Sequence, residues 1–265
     1  MGCGWLGLPL AKHLIKHGYK VKGSSTSKNK LPVLKAESID SFYVELKEEG
    51  VFGDIENFLN GSEILIINIP PGLRSHPDTD YVKQISYLIK HIEVSTSILK
   101  VIFISSISVY SDDLSIPNIT PDTVPNPESE SGKQLLKAEQ LLQQNQKFDA
   151  TILRFGGLFG GDRHPAKSIS GKANLKNPDA PVNLIHLDDC IGIIHQIIVT
   201  DCWNEVFNAC TKPHPSKKDY YTAICNKMNL PEPNYDLSKP SKGKLIDSKK
   251  LEEILNYQFQ VKLNN

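Results

Sequence analysis

The feature that most restricts this chain stands at its start. Gly2-Cys3-Gly4-Trp5-Leu6-Gly7 spells G-x-G-x-x-G, and Leu8–His17 follows with the apolar spacing of a helix. Each glycine has its own physical task. Gly2 permits a tight turn, Gly4 lets backbone approach a pyrophosphate, and Gly7 lets the helix lie close on a strand. The helix start then offers unpaired N–H groups and the positive end of its dipole to an anion. The motif alone says little, but here a helix and a strand ending in Gly23 follow it, as a dinucleotide-binding turn requires. Gly2, Gly4, Trp5, Leu6 and Gly7 are therefore candidate cofactor-binding residues. Such a turn ordinarily closes a strand, yet only Met1 precedes Gly2. The reading expects either a segment ahead of this start or a sheet whose first, central strand is missing or truncated. The second case implies instability, because the neighbouring strands lose a ladder partner.

The rest of the chain alternates. Strands are expected at Tyr19–Gly23, Phe42–Leu46, Ile64–Ile69, Val101–Ser106, Ala150–Phe155 and Val182–His186. Helices are expected at Leu8–His17, Pro32–Ala36, Asp54–Leu59, Asp80–Ser97, Ser131–Gln144, Leu187–Thr200, Ser216–Met228 and Ser248–Leu255. Ile64–Ile67 and Val101–Ile104 are unbroken apolar runs, the pattern of strands covered on both faces. Alternation of this kind implies βαβ units. The expected fold is α/β, a Rossmann-type doubly wound parallel sheet with a small C-terminal substrate lobe. A division into 1–160, binding NAD(P), and 161–265, a lobe interleaved with the last strands, follows from the irregular, proline-bearing sequence after Asp201. Asp112–Ser131 reads as a long surface loop, a length often functional.

The second strand indicates the cofactor. An NAD site ordinarily places Asp or Glu there for the ribose hydroxyls. This chain has Gly23-Ser24-Ser25-Thr26-Ser27-Lys28 instead. Hydroxyls and a lysine suit a 2′-phosphate, so NADP is expected ahead of NAD, with Ser24, Ser25, Thr26 and Lys28 as its contacts. Ile69, Pro70 and Pro71, at the end of a buried strand, are placed to pack on the adenosine half.

Ile104-Ser105-Ser106-Ile107-Ser108-Val109-Tyr110 carries a more specific pattern. With Leu153–Gly160, Asn183–Asp189 and Asp247–Leu251, it resembles the extended short-chain dehydrogenase/reductases, including the sugar-nucleotide epimerases and dehydratases, over nearly the whole chain. Pro70-Pro71-Gly72 and Asp162-Arg163-His164-Pro165 look most like the YeeZ-like branch. The resemblance implies a serine that orients the substrate, here Ser106, with Ser105 beside the cofactor. It also implies a Tyr-x-x-x-Lys pair opening the next helix, the tyrosine as acid/base and the lysine lowering its pKa. The matching positions hold Ser131 and Leu135, neither of which can do that work. Lys133 is the nearest substitute. The resemblance further implies a homodimer through the two long helices.

Gly160-Gly161-Asp162-Arg163-His164 offers a loop over the substrate, with Arg163 to clamp an anion and His164 to move a proton. Lys172 is a weaker second cation. His186, just before Asp188 and Asp189, reads as a satisfied core or helix-capping histidine, and no metal site is expected. Two functions remain in view. One is an NADP-dependent reductase or epimerase-like enzyme acting on a small or nucleotide-linked polar substrate. The other is a binding module that keeps the cofactor and has lost the acid/base pair. A dehydrogenase of the 6-phosphogluconate type shares the first turn but lacks the Ser-Ser-x-Ser-Val-Tyr strand. Thirty basic residues balance thirty acidic ones, which argues against nucleic acid and membrane surfaces as partners. Five cysteines without a C-x-x-C are expected to be reduced thiols in a cytoplasmic protein.

Overall fold

The computed structural model describes residues 1–263. The chain runs through α1 (Gly7–Lys16), β1 (Lys22–Ser25), α2 (Leu31–Ala36), β2 (Asp40–Lys47), β3 (Gly50–Gly53), α3 (Ile55–Leu59) and β4 (Ile64–Ile67). It continues with α4 (Tyr81–Val94), β5 (Lys100–Ser106), β6 (Asn118–Ile119), α5 (Glu130–Gln143), β7 (Asp149–Phe155) and β8 (Gly157–Phe159). Then come α6 (Ala166–Ile169), β9 (Leu184–His186), α7 (Leu187–Thr200), β10 (Val206–Ala209), α8 (Lys217–Lys227), β11 (Leu245–Ile246) and α9 (Lys249–Ile254). Most expected elements form, with ends moved by caps. Ser129 Oγ accepts from the Gly132 N–H at 3.1 Å and starts α5 at Glu130, while Asp80 accepts from the Lys83 N–H at 2.9 Å and opens α4. Such caps each contribute about 1 kcal/mol.

Four parallel strands stand in the order β10-β7-β5-β4, and a second sheet runs β1-β2-β3. β1 and β2 are parallel, whereas β3 returns antiparallel along β2. Residues 1–3 join the sheets. The Met1 amine donates to the Ile66 carbonyl at 2.6 Å, and the Asn68 N–H donates to the Met1 carbonyl at 3.1 Å. On the other side the Cys3 N–H donates to the Ser24 carbonyl at 2.9 Å. This three-residue stretch hydrogen-bonds to β1 on one side and to β4 and its following residue on the other. The two sheets therefore read as one doubly wound sheet with a short central link.

β5 shows why both faces are covered. Val101 and Phe103 enter one apolar layer with Ile85, Leu88 and Ile92 of α4 and Leu135, Ala138 and Leu142 of α5. Ile102 enters the other, with Leu10 and Leu14 of α1 and Ile193, Ile194 and Ile197 of α7. Alternating apolar residues thus face opposite layers, and each fully buried large side chain stabilises by about 1.5–3 kcal/mol.

β10 was not expected, because Asn208 interrupts a short apolar run. It forms through tertiary partners: Val206–Ala209 pairs with Ile152–Phe155, and Asn208 Nδ2 donates to the Ile119 carbonyl at 3.2 Å. The sheet therefore draws an edge strand from the C-terminal stretch. β8 pairs with β9, and Phe159, Val182, Leu184 and Tyr220 form a small separate core under the lobe. No helix among the described residues is long and apolar enough to cross a membrane. All five cysteines are free thiols.

Candidate functional site

The glycine turn is built almost wholly from backbone. Gly2 has φ +89°, and a Cβ there would stand 2.4 Å from the Asn68 carbonyl oxygen. A Cβ on Gly7 would stand 2.2 Å from the Gly2 carbonyl oxygen. Gly4 is exposed, and a Cβ there meets nothing within 4 Å, leaving room for a ligand. Ser24, one of the expected cofactor contacts, is buried, and its Oγ accepts from the Gly2 N–H at 3.2 Å. Asn68 Nδ2 donates to the Gly2 carbonyl at 3.2 Å from the other side. The turn is thus held between β1 and β4. No side chain caps α1, and among the described residues no acceptor faces the N–H groups of Trp5, Leu6 and Gly7. Three free donors at a helix start make a ready anion site.

The neighbouring strand ends supply the rest of the crevice. Ser25 Oγ accepts from the Ser27 N–H at 3.1 Å, Thr26 is exposed, and the exposed Lys28 ammonium lies 5.3 Å over the Tyr43 ring. Beyond β4, the half-buried Ile69 lies against Gly2, Pro70 is exposed and Pro71 is buried. The Tyr81 hydroxyl, at the start of α4, donates to the Ile69 carbonyl at 2.7 Å and fixes this segment.

At the end of β5 two adjacent serines part company. The half-buried Ser106 Oγ accepts from the Ser108 N–H at 3.1 Å. Ser105 is buried, and its hydroxyl donates to Glu139 at 2.5 Å. Glu139 is also bound by Arg154, with Nη2 at 2.6 Å and Nε at 3.2 Å from Oε2. Arg154 Nη1 donates to the Tyr110 hydroxyl at 2.5 Å, which in turn reaches Asn208 Oδ1 at 3.1 Å. Arg154 is 4% exposed and Glu139 0%, so this is a charge pair inside the core. Ser105, placed beside the cofactor by resemblance, has its hydroxyl engaged in this network. Tyr110 is also fully engaged there, and burial raises its phenol pKa, with Arg154 opposing. The sequence contained the signal: a lone arginine in the apolar run Ala150–Phe155 requires a buried partner.

The start of α5 packs directly beneath the β5 end, since a Cβ on Gly132 would lie 2.3 Å from the Ser108 carbonyl oxygen. Ser131 is half-buried there, and Leu135 points into the core at 4% exposure. Lys133 is exposed, with its ammonium 3.9 Å from Glu130 on the same helix.

The Gly160–Arg163 turn closes on itself through two backbone hydrogen bonds, with positive φ at Gly160 and Gly161. It carries the Arg163 guanidinium over the Trp5 ring at 5.1 Å. Two residues expected in separate roles are therefore stacked at the edge of the glycine turn. His164 is turned the other way. Its Nδ1 accepts from the Ala166 N–H at 3.1 Å, its Nε2 lies 3.3 Å from the Tyr220 hydroxyl, and burial lowers its pKa. Lys172 is exposed. Lys217 and Lys244 stand in no motif that would mark them in the sequence. Lys244 donates to Asp112 at 2.8 Å and to the Tyr110 carbonyl at 2.9 Å. Half-buried Lys217 is held below the ordinary lysine pKa by desolvation, with Asp112 pulling the other way.

No protein-family model matches the chain. Protein YeeZ of Escherichia coli strain K12 is 32% identical over 263 residues, covering 98% of this chain and 94% of the relative. Among solved structures, a conserved protein of unknown function from Silicibacter pomeroyi DSS superposes with a TM-score of 0.79 at 19% identity, covering 98% of this chain and 92% of that one. The UDP-glucuronic acid 4-epimerase of Bacillus cereus, solved with NAD, superposes with a TM-score of 0.77 at 18% identity and the same coverage. Identity over the full length places the family: the chain belongs to the family of protein YeeZ, and its fold is that of the solved epimerase and epimerase/dehydratase structures on which it superposes.

Proposed function

We propose that the chain binds NADP(H) across the glycine turn and acts as a reductase or epimerase-like protein on a small or nucleotide-linked polar substrate. One observation carries this reading: among the described residues the N–H groups of Trp5, Leu6 and Gly7 have no acceptor, and the neighbouring Gly4 leaves open space. That arrangement takes a pyrophosphate. The carboxylate-free stretch Ser24–Lys28 supports the 2′-phosphate form, with Thr26 and Lys28 on the exposed side. The Bacillus cereus relative was solved with NAD, and NAD is the second choice here. When bound, the nicotinamide supplies hydride transfer. Ser106 would orient a substrate oxygen, and Arg163 would hold an anionic group near Trp5. Lys133 is the proton-handling group of this reading, in place of the Tyr-x-x-x-Lys pair, while His164, engaged by Ala166 and Tyr220, is left out of it. A homodimer over α4 and α5, which the resemblance implies, belongs to the proposal; the two helices pack together, with the Tyr81 N–H donating to Gln134 Oε1 at 2.7 Å.

The test is a titration of NADPH and NADH against the folded protein, read by nucleotide fluorescence and thermal shift. NADPH should bind at least about tenfold tighter than NADH, and Lys28→Glu should narrow or reverse that ratio, because about 1.4 kcal/mol is tenfold. A folded protein that binds neither nucleotide overturns the reading. Equal affinities that Lys28→Glu leaves unchanged overturn the NADP preference alone.

A further inference from the structure

α1 runs from the glycine turn to a far end that no part of the cofactor reading uses. His13 sits on its last turn and His17 caps it, with α7 packed alongside carrying His195. His13 and His17 lie about 9 and 15 Å from Gly7 along the helix, at 1.5 Å per residue. They are therefore remote from the phosphate-binding end.

The three imidazoles converge. His13 Nε2 lies 3.0 Å from His195 Nδ1. Ring centroids are 4.2 Å apart for His13 and His17, 4.8 Å for His13 and His195, and 4.5 Å for His17 and His195. One ring nitrogen from each residue lies within 4.8 Å of the others. His17 Nδ1 is 2.8 Å from the His13 carbonyl, so it carries the proton and donates, leaving Nε2 with a free lone pair. Fixing a tautomer through a backbone carbonyl is how metal-binding imidazoles are commonly oriented. His13 and His195 are half-buried and His17 is exposed, so an ion would enter from the His17 side.

Two nitrogens bound tetrahedrally to zinc at about 2.0–2.1 Å stand about 3.3 Å apart. The observed 3.0 Å pair must open by a few tenths of an ångström and give up the proton it shares, while the three-nitrogen set, now within 4.8 Å, closes around the ion. We propose that His13, His17 and His195 form a three-histidine site for a divalent transition-metal ion of the zinc class, which clasps the end of α1 to α7. An all-nitrogen donor set suits zinc, nickel and copper and disfavours magnesium and calcium, which take oxygen ligands. The fourth position opens to solvent.

The test uses the full chain, stripped with EDTA, at about pH 7.5, where free imidazole is mostly neutral. Zn²⁺ should bind one ion per chain by calorimetry and raise Tm, while Mg²⁺ should do neither. Co²⁺ should give a visible spectrum without a thiolate charge-transfer band, which separates this site from the half-buried Cys3 and Cys202. His195→Gln should weaken Zn²⁺ binding at least about tenfold, and His91→Gln should not, since one lost ligand removes a metal–nitrogen bond. If His195→Gln fails to fold, the exposed His17→Gln gives the same readout. Zinc affinity unchanged in His17→Gln, or no uptake by the folded wild type, overturns the site.

Discussion

The glycine turn and the start of α5 lie on neighbouring strands of one sheet, yet they are built on opposite principles. In the turn, backbone does the work. Gly2, Gly4 and Gly7 leave no side chain in the way, and the donors of Trp5, Leu6 and Gly7 stay free. At α5, side chains are spent on packing. Leu135 fills the core where the resemblance implies a lysine, and Ser131 stands where it implies a tyrosine. The strongest polar group nearby, Glu139, is turned inward onto Arg154 and Ser105. The difference teaches that one sheet can leave backbone donors open at one strand end while the helix at the next serves as structure.

The largest effect tests the inward-facing side. Arg154→Met leaves Glu139 buried without its cation, which should destabilise by about 3–5 kcal/mol in urea unfolding. Adding Glu139→Gln removes the stranded charge and should recover part of that loss. A double variant as unstable as the single one would break the contrast, because the pair would then not be the source.

The turn is tested by two alanines three residues apart. Gly7→Ala drives a Cβ against the Gly2 carbonyl, where backbone cannot yield, and should cost about 1–3 kcal/mol or more. Gly4→Ala meets nothing in the chain, so stability should change by under about 0.5 kcal/mol. NADPH affinity should still fall by about tenfold under the proposal that the pyrophosphate lies against the Gly4 backbone. Equal stability losses in both variants would erase the distinction between a packing glycine and a binding one.

The smallest effect lies in the lobe. Burial holds the His164 pKa below the ordinary 6.5, and Lys167 pushes the same way. The unfolded chain therefore takes up this proton first as pH falls. The contribution is present above about pH 6.5 and is lost on acidification, until the folded imidazole itself titrates. His164→Asn should flatten the fall in Tm between about pH 7.5 and about pH 5.5. Tyr220 faces Nε2, so Tyr220→Phe serves as the control that keeps the imidazole. A slope unchanged in His164→Asn would mean that His164 is not held neutral.

The readable parts of this chain were the local ones. The G-x-G-x-x-G turn is set by steric limits on a few consecutive residues. The apolar runs of β4 and β5 state that both faces are covered, and the helix starts at Asp80 and Ser216 follow from capping groups. β10 was harder to see, because its Asn208 belongs in a strand only once Tyr110 and Ile119 are beside it. The link at residues 1–3 likewise depends on Ile66 and Ser24 approaching from two strands.

The sequence by itself determined the doubly wound fold and the conformation of the glycine turn, because periodicity and backbone sterics act over short stretches. Tertiary structure alone decided that Ser105 faces Glu139 while Ser106 stays half-buried at the strand end, and that Arg163 stacks on Trp5. It also brought His13 to His195 across 182 residues, where the sequence reading expected no metal site. Such meetings are set by strand order and helix crossing, which position distant side chains to within an ångström or so and leave no trace in the spacing along the chain.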